Sequence, residues 1–362
     1  MEIERLKLKS FRNYESLDIS FGPQINILHG DNAQGKSNLL EALYTCGTSR
    51  SYRGCPDRDM IRNGDDYGHL EMTAADERSS VTVDIHLKRA EKKGIAVNKI
   101  PIRKVSELIG TVKFIVFSPE DISLIKGGPS LRRSFLNMEI AQINSLYLSE
   151  YARYKHILTQ RNQLLKDIKK DPKLISTLDV WDEQLIRYGC GIIIERTRFI
   201  NELSPIIKEK HSLLTNGLEE AVIDYRPSLT EEEMRDHFRR YRDRDLSMMS
   251  TTAGPHRDDF AITVNGYDVK QYGSQGQKKT AALSLKLSEI DLIGRMNDRP
   301  VLLLDDVFSE LDKKRQTDLM KMIGGYQTFI TCTKPDELLR PFEPVSRFYR
   351  IQNGIAEESG GF

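Results

Sequence analysis

Residues 28–38 read LHGDNAQGKSN, directly continuing the apolar run Ile25-Asn26-Ile27-Leu28. The spacing Gly30-x-x-x-x-Gly35-Lys36-Ser37 matches every fixed position of a phosphate-binding loop. Glycine at these positions lets backbone N–H groups converge on a phosphate, an approach that a Cβ would block. Lys36 is expected to reach the β- and γ-phosphates, and the Ser37 hydroxyl to ligate Mg²⁺. The helix expected from Ser37 to Cys46 aims its positive N-terminus at the same phosphates. The stretch therefore predicts a strand–loop–helix unit that binds a nucleoside triphosphate through Gly30, Asp31, Asn32, Ala33, Gln34, Gly35, Lys36, Ser37 and Asn38.

The rest of the composition narrows the setting. With 362 residues, the chain has room for two domains or for one large domain with an insertion. A hydrophobic content of 39% and a net charge of +1 describe a soluble globular protein. No apolar run approaches the roughly 18 residues a membrane span requires. The opening MEIERLKLKSF alternates charged and apolar residues, which marks a strand rather than a signal peptide. Cys46, Cys55, Cys190 and Cys332 lie far apart with no CxxC pair, which argues against a zinc site or disulfide framework and fits a reducing cytoplasm.

The texture changes twice along the chain. The first 120 residues read as short strands: Leu17, Ile19 and Phe21 alternate, as do Val81, Val83 and Ile85, while VKFIVF (112–117) is a continuous apolar run suited to a strand buried on both faces. From about Leu131 to Leu203 the pattern is helical. One stripe runs through Ile143, Tyr147, Tyr151, Tyr154, Leu158 and Leu165; a second runs through Leu178, Trp181, Leu185, Tyr188, Ile192 and Phe199, with Asp171-Pro172 between them. Two such stripes predict an antiparallel helical hairpin. Strand character returns at DFAITVNGYDV, where Asn265-Gly266 marks a hairpin turn. The division expected is a first α/β lobe at 1–120, a helical arm at 121–245 and a second α/β lobe at 246–362.

That second lobe carries the remaining chemistry. PVLLLDDVFSELD (300–312) is a buried strand that delivers Asp305 and Asp306 at its end. A carboxylate so placed is the Mg²⁺-binding partner of a phosphate loop, so Asp305 is expected to hold the metal through water and Asp306 to polarise the attacking water. Ser274-Gln275-Gly276-Gln277, in YGSQGQKKT, opens a helix and offers a hydroxyl, a flexible backbone and a dipole to an anion.

In this order the motifs resemble the ATP-binding-cassette ATPases. That resemblance implies an ATPase head, a mixed sheet with an antiparallel β subdomain, interrupted by an α-helical arm. It also implies that Ser274–Gln277 of one subunit closes on the γ-phosphate held by another, with Ser309 and Asp312 on the loop crossing that interface and Thr333 as γ-phosphate sensor. Two positions depart from the pattern: many relatives carry His at the sensor position, and Ser118 and Glu120 stand where a Mg²⁺-contacting glutamine is usual.

LKLKSFRNYESLDISF, TSRSYRG (48–54), FSPEDISLIKGGPSLRR (117–133) and AGPHRDDF (253–260) look like the RecF family of the DNA-repair branch, which also includes Rad50 and the SMC proteins. The resemblance spans essentially the whole chain and implies that Arg12 and Asn13 join the ATP-binding set. By that resemblance the chain is a weak, DNA-stimulated ATPase and an ATP-dependent homodimer that clamps DNA at gaps or double-strand/single-strand junctions. It would act with RecO and RecR to load RecA and support the SOS response, in the cytoplasm and without a membrane partner. Arg50 and Arg53 are the DNA contacts it suggests, and little sequence preference is expected because no base-reading motif is visible. The alternative is a nucleotide-binding subunit of another assembly, a transporter or an SMC/Rad50-like complex. The transporter reading is disfavoured by SQGQ in place of LSGGQ; the Rad50 reading by candidate arm helices of only about 30 residues, roughly 45 Å.

Overall fold

A computed structural model describes residues 1–296, 298–335 and 337–360. The chain divides into two compact units, Met1–Asp121 with Glu289–Phe362, and Ile122–Ser288.

The first unit begins with β1 (Glu2–Phe11), β2 (Tyr14–Ser20), β3 (Ile25–His29), β4 (Tyr67–Ala75), β5 (Ser80–Lys88), β6 (Gly94–Val97), β7 (Ile100–Pro101) and β8 (Phe114–Phe117). An antiparallel sheet in the order β2-β1-β4-β5-β6-β7 uses the alternating segments; along β4 every second residue from Gly68 to Ala74 is buried. The helix α1 (Lys36–Thr48) follows β3, and its Leu39, Leu40 and Leu43 are fully buried in one core with Leu6, Leu8, Phe114, Leu303 and Phe329. Each such burial contributes roughly 1.5–3 kcal/mol.

The second unit holds α2 (Pro129–Ile143), α3 (Ser145–Ile168) and α4 (Leu178–Leu214). Asn144 separates the first two by accepting a hydrogen bond from Leu146 N as the cap of α3. Helices α3 and α4 pack together, burying Tyr147, Tyr154, Leu158 and Leu165 against Leu178, Leu185, Ile192 and Phe199; Tyr151, Trp181 and Tyr188 of the expected stripes are only partly covered. The turn is fixed by Asp171, which caps Pro172–Thr177 through Lys173 N. A small antiparallel sheet, order β11-β10-β9, completes the unit: β9 (Ala221–Arg226), β10 (Asp259–Val264) and β11 (Tyr267–Asp268). Asn265 (φ 50°) and Gly266 (φ 82°) form the β10–β11 turn that Asn-Gly signalled.

This pairing moves a boundary. Sequence texture placed the return to the α/β part at residue 246, whereas the compact units divide at 288/289. The physical reason is register: β10 pairs along all six residues with β9, from Asp259↔Arg226 to Val264↔Ala221, so the renewed strand character belongs to the helical unit's own sheet.

The first unit is completed by β12 (Val301–Leu304), β13 (Thr328–Cys332), β14 (Ser346–Gln352) and β15 (Ile355–Ser359). With β3 and β8 they form a second sheet, β15-β14-β3-β13-β12-β8, parallel throughout except for the β15 edge. The all-apolar segments Phe114–Phe117 and Val301–Leu304 are its buried strands. Its register sets Leu304 beside Phe117 and Ile330, and Cys332 beside His29. The residues following β3, β8, β12 and β13 therefore emerge together at the carboxyl ends of the strands, where open α/β sheets bind ligands.

Candidate functional site

At those strand ends the loop 30–35 joins β3 to α1. Gly30 and Gly35 have φ of 148° and 117°, and both are crowded: a Cβ on Gly30 would meet Ile351 O at 2.3 Å, and one on Gly35 would meet Asn13 Nδ2 at 2.7 Å. The second approach exists because Asn13 holds the loop, donating to Gln34 O at 2.8 Å and accepting from Asn38 Nδ2 at 2.8 Å. Tyr14 OH donates to Gly35 O at 3.0 Å, and Asn353 N donates to Gln34 Oε1 at 2.7 Å. Asp31, Asn32 and Ala33 are exposed at the loop's crest. Lys36, the residue expected to reach the β- and γ-phosphates, donates Nζ to the carbonyls of Gly30 at 2.7 Å and Asp31 at 2.9 Å.

Beneath the loop lies a buried ion pair absent from the sequence expectation. Glu41, one turn into α1 and fully buried, receives Arg12 Nε and Nη2 at 2.8 and 2.7 Å, and also Ser51 Oγ. Burial opposes its ionisation, but the hydrogen bonds from Arg12 and Ser51 outweigh it and hold the carboxyl below the usual glutamate range. Asn13 thus braces the loop itself, while Arg12 anchors α1 through Glu41.

Asp305 is 6% exposed, and both of its oxygens are engaged: Thr331 Oγ1 donates to Oδ1 at 3.0 Å and Tyr52 OH to Oδ2 at 2.7 Å. Thr331 Oγ1 also accepts from Asp306 N at 2.8 Å, fixing the left-handed Asp306 (φ 51°). Tyr52 OH lies 3.3 Å from Ser37 O, so the hydroxyl that touches Asp305 also borders the residue expected to share its metal. Asp306 is half-buried, and burial, then the charge of Asp305, raises its carboxyl above the ordinary aspartate range. Ser118, after β8, donates its N–H to Asp121 Oδ2, and the side chain of Glu120 is exposed. Thr333 contributes a carbonyl that accepts from Gly30 N at 3.2 Å, while its side chain faces solvent.

A serine hydroxyl and a carboxylate suit Mg²⁺, which keeps several waters and is rarely caged by protein alone. No group of three or more His, Cys, Asp or Glu able to hold a metal occurs among the described residues.

Elsewhere in the first unit, Ser309 Oγ donates to Asp306 O at 2.7 Å, and Asp312 caps the helix Lys313–Ile323 through Arg315 N. Arg50 is exposed. Arg53, which the resemblance suggests as a DNA contact, also reaches the site: Nη1 donates to Asn38 Oδ1 at 3.0 Å, and the guanidinium is 3.8 Å from both Glu41 and Asp305.

In the second unit Ser274 is a helix cap. Its Oγ accepts from Gln277 N at 3.2 Å while Gln277 Oε1 accepts from Ser274 N at 2.9 Å, a reciprocal capping box at the start of α5, which we define as Gln275–Gly294. Gln277 Nε2 reaches Glu219 at 2.9 Å, and Ser274, Gln275 and Gly276 are exposed. The AGPHRDDF stretch, for which the sequence offered no physical role, is a buried polar junction in the same unit. Arg196 donates to Asp258 Oδ2 at 2.8 Å and to Pro255 O at 2.7 Å, with both charged side chains fully buried. Tyr225 OH also donates to Asp258. His256 is held neutral, its pKa pushed down to about 4 chiefly by burial. Its Nε2 faces the carbonyl of Thr251 at 3.0 Å, a pure acceptor, so Nε2 carries the proton and Nδ1 accepts from Tyr154 OH at 2.7 Å.

Comparison with known proteins accords with this arrangement. The RecF/RecN/SMC N-terminal domain family matches residues 2–357. The DNA replication and repair protein RecF of Agathobacter rectalis is 47% identical over 358 residues, 99% of each chain, and that of Lachnospira eligens 46% identical over 98% of each. A solved structure of the recombination mediator protein RecF with ATP, from the RecFOR pathway, superposes with a TM-score of 0.92 at 34% identity, over 99% of this chain and 98% of that one. An Smc head domain from Pyrococcus furiosus, 16% identical over 99% of this chain and 96% of that chain, has a TM-score of 0.56 and shares the fold alone.

Proposed function

The chain belongs to the RecF family, and from that premise we propose that it is an ATP-switched DNA-binding recombination mediator. The observation that carries this reading is the meeting of the Gly30–Ser37 loop with Asp305 and Asp306 at the carboxyl ends of one parallel sheet. Lys36 leaves its two backbone carbonyls for the β- and γ-phosphates of ATP, and the loop N–H groups and α1 terminus receive the remaining charge. Ser37 directly, and Asp305 through water, would hold Mg²⁺, which would supply charge neutralisation at the phosphates. Asp306, next to the metal carboxylate at the end of β12, takes the proton of the attacking water. Ser274–Gln277, with Ser274, Gln275 and Gly276 exposed on their own unit, serves the γ-phosphate of a second copy, with Ser309, Asp312 and Thr333 at that interface. ATP thereby closes a homodimer on DNA and slow hydrolysis reopens it. RecR and RecO are the partners, by the pathway named for the relative, and RecA loading at gaps in the cytoplasm is the outcome.

The test is molecular mass by light scattering, with and without ATP and with and without DNA. A doubling that needs ATP, and a further complex that needs both ATP and DNA, is the expected result. A mass indifferent to ATP would end the clamp reading.

A further inference from the structure

Tyr52 belongs to TSRSYRG, a stretch that the ATP chemistry above does not use. Its hydroxyl has one proton and two acceptors within reach, and the shorter contact, 2.7 Å to Asp305 Oδ2 against 3.3 Å to Ser37 O, takes it. The ring is fixed edge-on against Tyr44 (centroids 5.8 Å apart, 88°) and carries the Arg53 guanidinium 5.5 Å from its centroid. Arg53 itself stops 3.8 Å from the same Oδ2, at ion-pair but not hydrogen-bond distance. One oxygen therefore has two suitors, and the tyrosine holds the closer place.

We propose that Tyr52 is a positioning residue for the metal carboxylate: with Thr331 on Oδ1, its hydroxyl on Oδ2 fixes the direction in which Asp305 faces the cation and keeps Arg53 from closing on it. Without the hydroxyl, the carboxylate is free to rotate and the guanidinium to advance into a direct, charge-assisted bond that competes with the metal. Partners that orient a metal-binding group in this way typically govern metal affinity by about 10- to 100-fold. The inference rests on Asp305 being the metal ligand of the proposed ATP site.

The probe is Mn²⁺, titrated onto the full chain with a non-hydrolysable ATP analogue and followed by electron paramagnetic resonance. Nucleotide affinity in EDTA and thermal unfolding are measured beside it. Tyr52→Phe should weaken Mn²⁺ about tenfold while leaving the other two readouts at parental values. Adding Arg53→Gln to Tyr52→Phe should recover more Mn²⁺ affinity than Arg53→Gln alone gains in the parent chain, an excess that a merely structural tyrosine would not produce. Thr331→Val should weaken Mn²⁺ in the same direction and Thr331→Ser should not, which keeps the inference testable if Tyr52→Phe folds poorly. Parental Mn²⁺ affinity in Tyr52→Phe would overturn the assignment. Absence of analogue-dependent Mn²⁺ binding in the parent chain would instead overturn the ATP site itself.

Discussion

The phosphate loop and the signature segment are both glycine-bearing turns that open a helix, yet their surroundings differ. Around the loop, Asn13 and Tyr14 hold the backbone carbonyls of Gln34 and Gly35, Asn38 holds the Asn13 side chain, Asn353 N holds the Gln34 side chain, and Lys36 is only 4% exposed. Around the signature, Ser274 and Gln277 satisfy each other and Gln277 finds Glu219, while Ser274, Gln275 and Gly276 face solvent. A shaped site within one unit is expected to bind ligand unaided; a capped but open terminus needs a second surface. Binding should therefore separate from turnover according to which region is damaged.

The largest effect expected is on the shaped site. Lys36→Met removes charge-assisted contacts to two phosphates and should lower ATP affinity more than about 100-fold, measured by fluorescent-nucleotide titration. Asp306→Asn should bind ATP as the parent does and lose hydrolysis by about 100- to 10,000-fold, the usual worth of a positioned base. Turnover at the parental rate would move the catalytic role away from Asp306 and blur the distinction between binding and turnover groups.

A smaller effect, confined to stability, is expected where buried charge serves packing. Arg196→Met leaves Asp258, itself fully buried, without its cation and should cost about 3–5 kcal/mol in denaturant unfolding. ATP affinity, referred to the folded fraction, should stay within about twofold, since the two residues share no partner with the loop. Loss of nucleotide binding in the folded protein would show that AGPHRDDF does more than hold its unit together.

How much of this was legible in the sequence follows the same division. The phosphate loop and the Val301–Leu304 strand were readable because the pattern is local: fixed spacing in one, an unbroken apolar run in the other. Glu41, Tyr52 and Thr331 were not, because their roles arise only when topology brings distant residues together; Tyr52 and Asp305 are 253 positions apart. Arg53 looked like a basic surface residue for the same reason, its carboxylate partners being invisible to composition. The β10 segment looked like a return to the first sheet because strand character says nothing about which strand it will pair with.

The mildest expected effect concerns DNA. Its affinity should fall by roughly 0.9 log units per phosphate contact for each log unit of salt, with little preference among duplexes of equal length. A flat salt response would detach the DNA-binding claim from both regions.

The most direct measurement is a mixing experiment between the two regions. Ser274→Arg should bind ATP through its intact Lys36 loop, yet neither dimerise nor hydrolyse, because the guanidinium obstructs closure on a partner's γ-phosphate. Lys36→Met should be inactive for the complementary reason. In a mixed dimer one composite site carries both lesions and the other carries none, so combining the two inactive proteins should restore a measurable fraction of ATPase. No activity from the mixture, or hydrolysis by Ser274→Arg alone at the parental rate, would contradict the shared site and leave SQGQ as a helix cap.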